Sequence, residues 1–273
     1  MIDLIVVPLV GALVILAINA YFGLHIIRRG VIFVDLAFAQ IAALGSTVAF
    51  LLGAEVGDAR SYLFAFGFTL LGALLFSLTR VEDGHVSQEA YIGISYVVAS
   101  AAVILLSSFS AEGTEHVKET LTGSLIWATW PTVLKMTGVF AVVALFHWRF
   151  RGAMLAVTFA PETMPNVKFW DFVFYLSFGV AITFSVGLAG VLLIFSTLVI
   201  PAVIAFLYTD RFFPALLIAW FSGAVAVIAG ISASFLWDIT TGPLLVCTFG
   251  VVLVIAALLR PVIRPRAARR GHA

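Results

Sequence analysis

The sequence is short of nearly everything that clothes a soluble domain. Only 11% of its 273 residues are Asp, Glu, Lys or Arg, against about 25% in soluble globular chains. That scarcity excludes an ordinary soluble fold and a disordered chain. The single cysteine, Cys247, excludes an internal disulfide framework. The five histidines are scattered, so no dense histidine site is legible. Fourteen acids nearly cancel fifteen basic residues, which removes the electrostatic case for a nucleic-acid partner. No Gly-x-x-x-x-Gly-Lys-Ser/Thr loop is present, so any ATP used in this protein's work must bind another chain. Pro/Ser-rich linkers, low-complexity tracts and clear internal repeats are also missing.

What the chain has instead is hydrocarbon: 63% of its residues are hydrophobic. A run of about 20 such residues crosses a bilayer as a helix, because in lipid each backbone N–H and C=O must be satisfied within its own segment. Spans are predicted at Leu4–Leu24, Val31–Leu52, Tyr62–Leu78, Tyr91–Phe109, Pro131–Trp148, Phe172–Val186, Leu188–Tyr208, Pro214–Trp237 and Pro243–Arg260. The run from Phe172 to Tyr208 is too long for one crossing and is divided at Gly187 and Gly190, where a bend is cheapest. Without that division the count is eight rather than nine. The expected fold class is therefore all-α: one polytopic membrane domain over residues 1–263, followed by a short basic tail, 264–273.

Basic residues orient the spans. With the N-terminus outside, the inner breaks and tail hold Arg28, Arg29, Arg80, Arg149, Arg151, Lys168, Arg211, Arg260, Arg264, Arg266, Arg269 and Arg270. Only Arg60, Lys118 and Lys135 fall outside. The tail reads as a cytoplasmic stop that meets lipid headgroups. The N-terminal stretch opens with Asp3 and lacks a basic leader, so it reads as a first span rather than a cleavable signal.

Few polar residues lie in or beside the spans. Asp35 stands near the start of the second span, where a carboxylate faces protein or a water-filled path. Two readings follow: a ligand or gate for a cation, or an acid near the interface paired with Arg28 or Arg29. At 100° per residue, Ala39, Ala42 and Ser46 share its face and Gln40 lies about 140° away. Glu82, Asp83, His85 and Glu89 cluster before the fourth span, with Glu89 abutting the bilayer; they read as a solvated acidic loop or, as the alternative, as ligands for a divalent cation, though their spacing matches no strict metal motif. His147 and Lys135, at opposite ends of the fifth span, read as snorkelling or capping residues. Between Arg149 and Asp171, Pro161 suits the first position of a short helix and Glu162 its first turn, with Pro165 limiting its length. Such a segment reads as a docking knob for a soluble partner or as a plain connector.

Several segments resemble the ABC-type metal-ion permease family. Arg28-Arg29-Gly30 through Asp35, followed by Ala39-Gln40-Ile41-Ala42-Ala43-Leu44-Gly45, is similar to its second-helix signature of an Arg pair, an Asp, a Ser/Ala-His-Ala step and a Gly. Glu89-Ala90-Tyr91-Ile92-Gly93-Ile94 resembles its acidic-x-x-Ile-Gly-Ile step, and Leu121-Thr122-Gly123-Ser124-Leu125 its Leu-Phe-Gly-x-Leu turn. Phe159–Asn166 resembles its cytoplasmic coupling segment, and Gly187–Ala205, with Ile200-Pro201-Ala202, its Gly-x-Leu-Leu…Ile-Pro-Ala helix. Thr241-Gly242-Pro243 fits the turn before its last helix. Two positions depart from the pattern: Ala39 stands where the family has His, and Ala160 where its coupling segment has Asp.

The resemblance implies a permease of the type II ABC importer kind in the cell's inner (plasma) membrane, paired with a second copy of itself. It would receive zinc, manganese or iron from an extracytoplasmic metal-binding protein and be driven by cytoplasmic ABC ATPase subunits. On that reading Asp35, Gln40 and Glu89 belong to the metal pathway, with Asp35 as the metal contact. Phe159, Pro161, Glu162 and Met164 belong to the ATPase-coupling surface. The chain itself would be no enzyme and would hold no cofactor, its divalent metal ion being cargo. An alternative cargo is a metal chelate or a cobalamin-like compound. Against a stand-alone secondary transporter, no paired broken-helix signature is present in two halves. Against a bilayer enzyme, no nucleophile–base constellation lies within the spans. The topology is testable by single-cysteine labelling in a Cys247→Ala background. A cysteine at Glu112 should react from outside the cell and one at Arg266 from the cytoplasm; labelling of the Glu112 site from the cytoplasm alone would sink the nine-span arrangement.

Overall fold

The computed structural model describes residues 2–54, 58–80, 86–109, 123 and 125–263. Every regular element among the described residues is helical. In chain order these are α1 (Ile2–Arg29), α2 (Val34–Leu51), α3 (Ala59–Leu78), α4 (Gln88–Ser107), α5 (Trp130–Arg149), α6 (Arg151–Phe159), α7 (Val167–Tyr208), α8 (Phe212–Trp237) and α9 (Thr241–Ile263). Single 3-10 turns cover Leu125–Trp127 and Pro161–Thr163. All but α6 are long and apolar enough to cross a membrane. Local chemistry sets several of the ends. Asp58 Oδ1 accepts the Ala59 N–H at the start of α3, Ser87 Oγ accepts the Ala90 N–H at the start of α4, and Pro131 occupies the first turn of α5.

The 42-residue α7 decides the topology. Run straight, it would measure about 63 Å, twice the hydrocarbon core. It does not run straight, because Gly190 adopts φ 73° and ψ 160°, a conformation that side chains other than hydrogen rarely accept. The contacts show how sharply it turns. Near its start, Asp171 meets Arg29; near its end, Phe206 lies under the Arg28 guanidinium, 4.5 Å from the ring centroid. Both ends of α7 therefore lie beside the last turn of α1, and the two arms are antiparallel. Its bend lies at the other end of the bundle, where Gly123 abuts the backbone of Ala189 and Gly190. Phe184 stacks there on Tyr62, and Lys135 lies over the same Tyr62 ring. Counting the arms separately, the described helices pass from one end of the bundle to the other nine times, as the division at Gly187 and Gly190 predicts.

The basic breaks collect at one end. Arg28 reaches Asp210, Arg29 and Arg80 both reach Asp171, and Tyr208 donates to the Ala256 carbonyl near the end of α9. α1 and the two arms of α7 form the centre. Gly23 makes their closest approach: a Cβ there would stand 2.0 Å from the Leu198 carbonyl oxygen, so a larger residue would force the helices apart. Around that contact Phe22, Phe38, Phe76, Phe174, Tyr175 and Phe178 are fully buried. They meet mainly edge to face, as in Phe38 on Phe76 with centroids 5.1 Å apart. The buried side-chain amide of Asn19 donates to Thr197 Oγ1 at 3.0 Å. The outer helices α4, α5, α8 and α9 expose large apolar side chains such as Ile104, Leu145, Phe221 and Leu258, as a lipid-facing surface must.

Glu82, Asp83, His85, Glu112, His116, Lys118, Leu121, Thr122, Ser124 and the basic tail 264–273 lie outside the described residues.

Candidate functional site

Two acidic residues meet where α2 begins. Asp35 belongs to the first turn of α2, where a carboxylate complements the positive end of the helix. It is 1% exposed, and neither of its oxygens has a hydrogen-bond partner among the described residues. Glu89, in the first turn of α4, accepts the Phe33 N–H through Oε1 at 3.1 Å and so caps α2 from outside. Its Oε2 is buried without a partner, and the charge on Glu89 acts on Asp35. Three buried carboxyl oxygens thus stand without a hydrogen-bond partner, which costs free energy unless a proton or a cation answers them.

The structure bears on the sequence reading at three points here. Asp35 does not pair with Arg28 or Arg29, which are engaged elsewhere. Glu89 is not part of a solvated loop, since its backbone begins α4 and its side chain caps α2. Gln40 is buried in α2, but the helix is regular through Ala39 and Gln40, so nothing brings Gln40 round to the face of Asp35. That face carries Ala39 and Ala42, both buried, and Ser46. Among the described residues no group of three or more His, Cys, Asp or Glu is placed to hold a metal ion; the acidic pair is a two-residue site.

A second charged centre lies at the arginine end. Asp171, fully buried, accepts from Arg29 at 2.7 Å and from Arg80 at 2.5 Å. Arg29 also donates to Thr158 Oγ1 at 3.1 Å and lies over the Phe174 ring, 3.7 Å from its centroid. Arg80 donates to the Val157 carbonyl at 3.2 Å. His25, also fully buried, shares a hydrogen bond with the same Thr158 hydroxyl at 2.8 Å. Residues of α1, of the stretch following α3, of α6 and of α7 are thus joined through one carboxylate. By contrast the Arg28–Asp210 pair, at 2.9 Å, is largely exposed.

The segment between α5 and α7 holds the short helix expected at Pro161 and, before it, a second helix that the sequence did not announce. Pro161–Thr163 is one 3-10 turn rather than an α-helix, and the helix upstream is α6, which buries Met154, Val157 and Thr158 on one stripe. Prolines at 161 and 165 leave too few free N–H groups between them for an α-helix. Phe159 is wedged against Phe212 and His25, while Glu162 is exposed and Met164 partly so. This places Phe159, Pro161, Glu162 and Met164 together at the arginine end. His147 does not snorkel: it is buried, its ring nitrogens bonded to Tyr21 Oη at 2.9 Å and Ser177 Oγ at 2.7 Å. The residues that the sequence reading missed are Asp171, Arg80, Thr158 and His25. One signal was available for Asp171: with Lys168 and Trp170 it opens an apolar run as Asp35 does.

The described residues thus form an all-helical membrane bundle with a reversed central helix. The chain belongs to the ABC 3 transport family, whose sequence profile matches residues 1–260. It is 24% identical over 250 residues to the manganese transport system membrane protein MntC of Listeria monocytogenes, covering 89% of this chain and 86% of the relative. It is 22% identical to the manganese import system permease protein ScaB of Streptococcus parasanguinis, covering 93% and 89%. Among solved structures, PsaBC from Streptococcus pneumoniae in complex with Fab shares the fold with a TM-score of 0.77 at 22% identity, over 95% of this chain and 92% of that one. The chain is a multi-pass integral protein of the cell membrane.

The two ion-pair sites differ in burial, and stability measurements should separate them. Asp171→Ala leaves two arginines uncompensated, one of them with a side chain 4% exposed, and should destabilise the protein by about 3–5 kcal/mol. Asp210→Ala, at an exposed pair, should cost no more than about 1 kcal/mol. Thermal unfolding of both variants in detergent is the measurement; equal midpoints would show that the buried carboxylate carries no special share.

Proposed function

We propose that this chain is the membrane-spanning subunit of an ATP-driven importer of a divalent transition-metal ion, with Asp35 and Glu89 offering the cation a transient oxygen site. The observation that carries the proposal is the acidic pair itself: three buried carboxylate oxygens without partners at the start of α2, in a chain whose full-length relatives are named for manganese transport. Carboxylates are hard ligands that suit manganese better than a sulfur or imidazole set would. With Ala39 in place of an imidazole donor, the set leans further from zinc. An incomplete shell is an advantage in a conduit, because a cation held by few ligands also leaves.

The work would come from separate ATPase chains that bind ATP differently in two permease conformations. Phe159, Pro161, Glu162 and Met164 would meet those chains. Their motion would pass to α1, α3 and α7 through the Thr158 and Val157 contacts of Arg29 and Arg80. A second copy of the chain would complete the path, and an extracytoplasmic binding protein would deliver the ion. No catalysis falls to this chain.

Uptake of labelled manganese, zinc and iron by vesicles holding the purified complex tests the cargo. Asp35→Asn keeps the shape and removes the charge. It should lower uptake of the transported ion at least tenfold while expression and assembly hold, and Arg28→Gln should not mimic it. Unaltered uptake by Asp35→Asn and by Glu89→Gln would falsify the acidic pair as the ion's site. For the coupling surface, Glu162→Arg should weaken co-purification of the ATPase while the permease still inserts; unchanged co-purification and transport would return this turn to a plain connector.

A further inference from the structure

We propose that the groove between α1, α5 and α8 binds one anionic phospholipid of the cytoplasmic leaflet, its acyl chain lying in the groove and its phosphate on Arg151. The cavity is about 490 Å³, within the range of about 300–1,000 Å³ typical of ligand clefts. α5 and α8 both rest on α1 and leave a slot between them. Val14, Ile18, Phe140, Ala144 and Leu216 line it. Its deep polar groups are already satisfied, since Tyr21 Oη and His147 Nδ1 bond to each other and His147 Nε2 to Ser177. The deep part therefore asks for hydrocarbon and offers nothing to a polar ligand.

One end of the slot is different. Arg151, at the start of α6, lines it, is exposed and forms no ion pair with any described residue. Arg211 is equally exposed and unpaired and directly precedes Phe212 and Phe213, which also line the slot. The basic residues of the breaks place this end at the cytoplasmic surface. A groove open sideways in the apolar wall of a membrane protein meets lipid tails, and an unpaired cation at its inner rim selects a negatively charged headgroup. Trp148 and Trp220 flank the opening, and the Trp220 indole N–H is tied to the Ala17 carbonyl at 3.0 Å, which holds its ring along the wall. The inference stands apart from the importer reading, for it needs only the groove, the free arginines and the bilayer.

Native mass spectrometry of the purified permease tests it, with phosphatidylglycerol or phosphatidylcholine of matched acyl chains added to the detergent. One phosphatidylglycerol should be retained per chain in preference to phosphatidylcholine. Arg151→Gln should weaken that retention about fivefold and weaken that of phosphatidylcholine less, because its choline offsets the phosphate charge. Ala144→Trp should fill the slot and release both lipids; if that variant fails to fold, Ala141→Phe fills a neighbouring part of the same wall. Equal retention of the two lipids, or retention of phosphatidylglycerol unchanged by both Arg151→Gln and the filled groove, overturns the proposal. So does a disulfide joining two copies through a cysteine introduced at Ala144 in a Cys247→Ala background, which would make a second copy the occupant.

Discussion

A carboxylate without exposed surface, Asp171, sits between two guanidinium groups that arrive from distant parts of the chain. Taking each of these charges out of water costs several kcal/mol, and the cost is recovered only when all of them are present and well placed. Arg29 illustrates the placement. Its guanidinium serves Asp171, Thr158 and the face of Phe174 at once, which a lysine's single point charge could not do. The arrangement dictates where α1 ends, where α7 begins and how α6 lies across both. It also fixes the short helix α6, whose Thr158 and Val157 are bonded directly into the charged centre while Met154 and Val157 bury its apolar stripe.

The acidic pair at the start of α2 has the opposite character. There the carboxyl groups of Asp35 and Glu89 have no arginine among their hydrogen-bond or ion-pair partners. One centre joins a carboxylate to two guanidinium groups, and the other brings acid to acid. Both lie near the same end of the bundle, Asp35 and Glu89 in the first turns of α2 and α4 and Asp171 one residue beyond the first turn of α7. In the proposed reading the Asp171 centre transmits and the acidic pair receives.

Most of the fold was legible in the sequence. The apolar runs are long and the polar breaks short, so span boundaries fell within a few residues of the helices, and Gly187 and Gly190 marked the reversal inside an otherwise seamless apolar stretch. The charged centres were not legible to the same degree. Asp35 and Glu89 stood out because each sits at the mouth of an apolar run, but their meeting depends on how α2 and α4 pack, 54 residues apart in sequence. Asp171 was read as the edge of a connector, because a carboxylate at a span's start looks the same whether it faces water or two buried arginines. The partners it needs lie 142 and 91 residues earlier, beyond any local pattern. The short helix expected at Pro161 is there as one 3-10 turn, but α6 just before it was missed, because its buried stripe Met154, Val157, Thr158 is too brief to read as a helix by eye.

The distance between Arg29 and Asp171 has a consequence for biogenesis. A ribosome adding about 5–20 residues per second makes the second residue roughly 7–30 s after the first. During that interval α1 through α5 are in or entering the bilayer with Arg29 and Arg80 unanswered. The wait is tolerable because both arginines sit at the cytoplasmic mouth of their helices, within reach of water and lipid phosphate. Only when the first arm of α7 arrives can they be drawn under the bundle. The charged centre is therefore closed late, at the membrane surface, by a single aspartate, whereas the packing of α2 on α3 and α4 needs no residue of α7.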